Sequence, residues 1–153
     1  MKTIIHIEDA DIVYDQVRKG VDDWFGSENA EVKNLDFEKA AENFIEAGES
    51  ENIALIIVDL MIEYHSDENH EIPRDVLLDG SFDAGFRLIG KLRASRVWRD
   101  VPITVYSSVD RKAVEERLEK DEFRDIPVVQ KTETLNPLLL LIGQMAGLRR
   151  IDR

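Results

Sequence analysis

The hexapeptide Ile53-Ala54-Leu55-Ile56-Ile57-Val58 is apolar on both of its alternating faces and runs directly into Asp59. A strand that is wet on one side alternates apolar and polar residues. One that is apolar throughout reads as the centre of a parallel sheet with helices on both sides. Such a strand demands neighbours, and the chain offers four. Thr3–Ile7 and Val101–Tyr106 are β-branched and apolar, Ile126–Gln130 is shorter, and Ala30–Leu35 alternates as an edge strand does. Between and after them lie amphipathic segments. The first carries Val13, Val17, Val21 and Trp24 at helical spacing, and Gly26 follows it. The second is expected to be capped by Asp36, with a stripe of Phe37, Ala40, Ala41, Phe44 and Ile45 and an end at Gly48. A third carries Phe86, Ile89 and Leu92. A fourth, after a cap at Asp110, carries Ala113, Val114 and Leu118. A fifth begins at Asn136-Pro137 and runs to about Leu148.

Five strand–helix units predict an α/β fold, a three-layer doubly wound (βα)5 sandwich around a parallel sheet with right-handed crossovers. A closed eight-fold barrel needs far more than 153 residues. With no cysteine, thiolate metal sites, disulfides and cysteine nucleophiles are excluded. No apolar run approaches the ~20 residues of a membrane span, and no signal-peptide pattern opens the chain. The expected setting is therefore cytoplasmic, without a membrane. The 20 Lys+Arg against 32 Asp+Glu give a formal net charge of −12, which argues against direct nucleic-acid binding.

Sites in open parallel sheets form beyond the carboxyl ends of the strands. Four of the five expected strands end there in a charged or hydroxyl side chain: Glu8-Asp9, Asp59, Ser107-Ser108 and Lys131. Three converging carboxylates need a cation to coexist ionised, and hard oxygen donors suit Mg²⁺. A carboxylate can also take up a phosphoryl group, with a lysine and a hydroxyl to receive its oxygens.

In this order, Ile4-Ile-His-Ile-Glu8-Asp9, Ile56-Ile-Val-Asp59-Leu, Asp83-Ala-Gly85-Phe-Arg-Leu-Ile, Pro102-Ile-Thr-Val-Tyr-Ser107-Ser108 and Val128-Val-Gln-Lys131 resemble the receiver domain of two-component response regulators, of flavodoxin-like fold. The resemblance runs from about Lys2 to Leu148. It implies strand order 2-1-3-4-5 and a single receiver domain over 1–153, with a long insertion at about 63–82. It implies Asp59 as phosphoacceptor, and a Mg²⁺ site at Glu8, Asp9, Asp59 and the Met61 backbone carbonyl. Ser107 and Lys131 would meet the phosphoryl group, and Ser108 would leave access to it. The activity implied is Mg²⁺-dependent self-phosphorylation and self-dephosphorylation, rather than that of an ordinary enzyme. The implied donor is a sensor histidine kinase or a histidine phosphotransfer protein, in a phosphorelay.

With no chain left after the last helix for a DNA-binding output domain, the expected output is contact with a downstream protein partner. The apolar run Leu138–Ile142 is a candidate homodimer surface. The alternative is a pseudo-receiver, a phosphorylation-independent interaction module. Three departures motivate it: Thr132 follows Lys131 where the family has proline, Val128 stands where it has an aromatic, and Glu63 opens a long polar stretch where it has proline. His65 and His70, among Asp67, Glu68 and Glu71, read as a solvated loop rather than a second metal site. Ile72, Val76, Leu77 and Leu78 are expected to pack a short element against the body. His6 reads as a core histidine rather than a phosphoryl carrier. Arg87, Lys91, Arg93, Arg96 and Arg99 read as a solvated helix face.

Haloacid-dehalogenase-type phosphatases, primase-type folds and Rossmann dinucleotide binding are disfavoured. The Asp-x-Asp register of the first two is missing, and no glycine-rich turn follows the first strand.

Overall fold

The computed structural model describes residues 1–63, 83–132 and 134–152. Its strands are β1 (Lys2–Ile7), β2 (Ala30–Leu35), β3 (Ile53–Val58), β4 (Ile103–Ser107) and β5 (Val128–Gln130). The helices, among the described residues, are α1 (Asp11–Phe25), α2 (Glu38–Ala47), α3 (Ala84–Ala94), α4 (Arg111–Lys120) and α5 (Asn136–Ala146). All strand pairs are parallel, in the order β2-β1-β3-β4-β5. This is the expected doubly wound sandwich. The histidines and acids at 65–71, and Ile72, Val76, Leu77 and Leu78, lie outside the described residues. Among the described residues no helix is long and apolar enough to cross a membrane.

Strand periodicity divides the core. Ile56 and Val58 of β3 join Ile5 and Ile7 of β1 under Leu88, Ile89 and Leu92 of α3 and Val114 and Leu118 of α4. The intervening Leu55 and Ile57 join Ile4 on the opposite face, under Val17, Val21 and Phe25 of α1 and Leu138, Leu139 and Ile142 of α5. Each such side chain contributes roughly 1.5–3 kcal/mol when fully buried, so the two-faced β3 anchors both halves of the core. On α1 the deep aromatic is Phe25. Trp24 is only partly buried and stacks against the Arg150 guanidinium, 4.3 Å from the ring centroid. Within the Leu138–Ile142 run, Leu140 is the exposed residue, at 58%.

One expectation about the second helix fails. Asp36 makes no cap: Phe37 occupies that position, and its side chain makes no capping bond. Of the expected stripe Ala41 is fully buried, and so is a charged residue of α2. Glu38 is 0% exposed, and both its oxygens are held by Arg87 of α3, at 2.8 Å (Nε) and 2.7 Å (Nη2). Arg87 is therefore not part of a solvated face. Lys91 reaches Glu42 of α2, and Arg93 binds Asp125 at 2.8 Å. A glutamate in a first turn reads from sequence as a partner for the helix dipole, so its burial is invisible until α3 is in place.

A bidentate carboxylate–guanidinium pair is strong when desolvated, and removing one member costs roughly 3–5 kcal/mol. Glu38→Ala is therefore expected to lower unfolding free energy by about 3 kcal/mol. Glu42→Ala, which removes a pair whose lysine is largely exposed, is expected to cost less than about 1 kcal/mol. Urea unfolding of the two variants side by side checks the difference. Equal costs would contradict a structural role for Glu38.

Candidate functional site

The sheet ladder continues one residue past the strands that carry the acids. The Glu8 N–H donates to Leu35 O at 3.1 Å, and the Asp59 N–H to Ile7 O at 3.0 Å. The Lys131 N–H donates to Ser107 O at 2.8 Å. The backbone of each residue is thus fixed before its side chain does anything. Glu8, Asp9 and Asp59 each bring a carboxylate oxygen to a common place, all within 4.8 Å of one another. Glu8 is 1% exposed and Asp59 4%, while Asp9 is half-buried.

Lys131 supplies the counter-charge. Its Nζ donates to Glu8 Oε2 at 2.8 Å and to Asp59 Oδ2 at 3.2 Å, and lies 5.6 Å from the Tyr106 ring centroid. Burial lowers the ammonium pKa, but the hydrogen bond to Glu8 and the charge of Asp59 outweigh it, so the net shift is upward and Lys131 stays charged. The remaining oxygens meet backbone amides. Glu8 Oε1 accepts from Ala10 N at 3.1 Å, Asp59 Oδ1 from Met61 N at 3.4 Å, and Asp9 Oδ2 from Glu63 N at 3.2 Å. Glu63 O in turn accepts from Glu38 N at 2.8 Å, so the chain leaving Asp59 is pinned between Asp9 and the start of α2.

Two further residues shape the pocket. Ser107 is buried at the end of β4, and its Oγ accepts from Val109 N at 3.3 Å; Ser108 beside it is exposed. Gly85, in the first turn of α3, donates its N–H to Leu60 O at 3.2 Å. A Cβ there would sit 2.6 Å from Asp59 O and 2.7 Å from Leu60 Cα, both backbone atoms that cannot yield, so the close approach of α3 to the Asp59 segment requires glycine. The Lys131–Thr132 peptide is trans, and Val128 lies in the core.

Every sequence-expected site residue therefore lies at this end of the sheet, and Glu8, Asp9, Asp59 and Lys131 converge. Met61 contributes its N–H to Asp59 in this arrangement. The sequence named Gly85 within a motif and Glu63 as a departure from the family, and neither carried an expected role at the site. The Gly85 signal was present, in a glycine placed where a helix should begin.

Burial first, and then the Asp59 charge, push the Glu8 carboxyl up to about 7. A group whose pKa is raised on folding contributes stability below its unfolded value of 4.5 and loses it as pH rises through about 7. Without divalent cations the melting temperature is thus expected to fall between pH 5 and pH 7.5, and Glu8→Gln is expected to flatten that slope. Thermal melts across the range check it. A melting temperature that rises over this interval in the wild-type chain, with no effect of Glu8→Gln, would contradict it.

No family model and no curated protein matches the sequence. Solved structures do match. A signal receiver domain of two-component signal transduction (histidine kinase) from Clostridium thermocellum is similar with a TM-score of 0.69 at 12% identity, over 95% of this chain and 97% of that one. The non-phosphorylated HemR receiver domain from Leptospira biflexa gives 0.65 at 18% identity, over 100% of each chain. The BeF3-activated N-terminal receiver domain of Klebsiella pneumoniae RstA gives 0.63 at 19%, over 95% and 98%. With its 2-1-3-4-5 parallel sheet, the chain has the fold of response-regulator receiver domains.

Proposed function

We propose that the chain is a phospho-accepting switch: Asp59 takes a phosphoryl group from a phosphohistidine on a sensor kinase or histidine phosphotransfer protein, and the chain signals through a protein partner. The observation that carries this reading is the position of Lys131 Nζ between Glu8 Oε2 and Asp59 Oδ2. A lysine in that place stabilises negative charge as it develops on an oxygen bonded to Asp59. In the transfer, an Asp59 oxygen bonds phosphorus as the phosphorus–nitrogen bond of the donor breaks. Ser107 supplies a hydroxyl at the end of β4 for a phosphoryl oxygen, and the exposed Ser108 leaves the approach open. The same site is assigned the return reaction, in which water removes the phosphoryl group.

The donor set fits Mg²⁺. Its atoms are hard carboxylate oxygens, one from each of Glu8, Asp9 and Asp59, grouped closely enough for one ion, and the Met61 carbonyl is assigned as a further ligand. When bound, the ion would neutralise charge on the carboxylates and on the phosphoryl oxygens. Ordered by the ladder bonds that precede them, Glu8 and Asp59 need no rearrangement of backbone to present these oxygens. A cytoplasmic setting accords with this chemistry, and self-association through the exposed Leu140 of α5 is a further part of the proposal.

One observation favours the second reading, a phosphorylation-independent interaction module. Val128 is sequestered in the core, so β5 provides no aromatic side chain there to report the state of Asp59.

Incubation with acetyl phosphate and Mg²⁺ separates the two. The expected result is a mass gain of one phosphoryl group that is labile to hydroxylamine, absent from Asp59→Asn, strongly reduced in Lys131→Met, and lost when EDTA replaces Mg²⁺. No mass gain, or a gain that persists in Asp59→Asn, would overturn the proposal and leave the interaction module as the reading.

A further inference from the structure

His6 is fully buried on β1, two residues before Glu8, and among the described residues neither of its ring nitrogens has a hydrogen-bond partner. Buried polar atoms in folded proteins are nearly always paired, so a side chain with two orphans calls for a reason. Packing alone does not supply one. The period-2 alternation of β1 puts His6 on the same face as Ile4, where an aliphatic residue would fill the place without a desolvated nitrogen. The ring lies 6.2 Å from that of Tyr14, whose hydroxyl is already committed to Val32 O at 3.0 Å.

What His6 does face is the functional pocket. Its Nε2 stands 4.0 Å from Glu8 Oε2, about an ångström beyond hydrogen-bond length. That oxygen is the one Lys131 holds at 2.8 Å, whereas Oε1 is occupied by the Ala10 amide. In a switch that accepts a phosphoryl group, the lysine is drawn toward the new oxyanion. Glu8 Oε2 then loses its donor inside a low-dielectric pocket, where an unpaired carboxylate oxygen is costly.

We propose that His6 is a positioning residue for Glu8: its Nε2–H closes onto Oε2 when Lys131 leaves, keeping the carboxylate aimed at the cation site. This rests on the functional reading above only in assigning what moves the lysine. The role requires an imidazole with the proton on Nε2 and the lone pair on Nδ1, the less demanding of the two nitrogens to leave unpaired. Outer partners of this kind that fix a ligating carboxylate typically change metal affinity 10- to 100-fold.

The test is Mg²⁺ calorimetry on the full chain with beryllofluoride present as the phosphoryl stand-in that draws Lys131 off Glu8, as wild type, His6→Leu and His6→Gln, with thermal melts of each. His6→Leu is expected to bind Mg²⁺ about tenfold more weakly while melting no lower than wild type, since it removes two orphaned atoms from the core. His6→Gln, which keeps a donor at similar reach, is expected to recover most of that affinity. Nitrogen-15 NMR of the imidazole is expected to show Nε2 protonated, with its proton moving downfield when Mg²⁺ and beryllofluoride are added.

Wild-type affinity in His6→Leu, equal weakening in both variants, or a proton on Nδ1 would overturn the role of His6. A wild-type chain that binds no Mg²⁺ would overturn this inference and the functional reading together. Failure of phosphoryl acceptance with these affinities holding would overturn the functional reading alone.

Discussion

Two carboxylates that share a buried pocket repel each other, and each has given up water to be there. In a low-dielectric setting neither cost is tolerable without a cation, and one ammonium contacts both. The pocket depends on this contact between Lys131 and the Glu8–Asp59 pair. Lys131 arrives from β5, Glu8 from β1 and Asp59 from β3, and β4 lies between β3 and β5. The lysine reaches across from two residues further along the ladder, where its backbone is tied to Ser107 at the end of β4, while Glu8 and Asp59 stand level just past β1 and β3. Sheet order, ladder register and the charge balance of the pocket are thus one constraint seen at three scales.

A second constraint holds the outer wall. The segment after Asp59 is fastened by Glu63 to Asp9 on one side and to the start of α2 on the other. Gly85 seats α3 directly on the Asp59–Leu60 backbone. The Glu38–Arg87 pair then locks α2 to α3, so the two helices flanking this segment are held as a unit. Removing one member of that pair costs several-fold more than breaking a surface ion pair, because the Glu38 carboxylate has no contact with solvent and its partner is left unpaired.

Much of this was legible in the residues. β3 could be read to the residue, because an all-apolar run ending in Asp59 admits few other fates. The acids and Lys131 followed from asking what stands at each strand end. What escaped were features that exist only once two elements meet. Glu38 looks like a solvated first-turn acid until Arg87 arrives from 49 positions later in the chain. Phe25 and Trp24 compete for the same face of α1, and only the packed sheet shows that Phe25 goes inside. The cap at Asp36 failed because α2 begins two residues later, with Phe37 in the capping position, whereas Asp110 stands immediately before Arg111 and caps α4 through Ala113 N as expected. His6 could be read as a core histidine, but its lack of a partner could not.

The pocket is governed by electrostatics: burial and the Asp59 charge push the Glu8 carboxyl up to about 7, and a nearby cation favours its ionised, ligating form. Carbon-13 NMR titration of the Glu8 side-chain carboxyl in the cation-free chain measures this directly. The account predicts a midpoint near 7, moving well downward when Mg²⁺ is present. A midpoint in the usual glutamate range, unmoved by Mg²⁺, would contradict it.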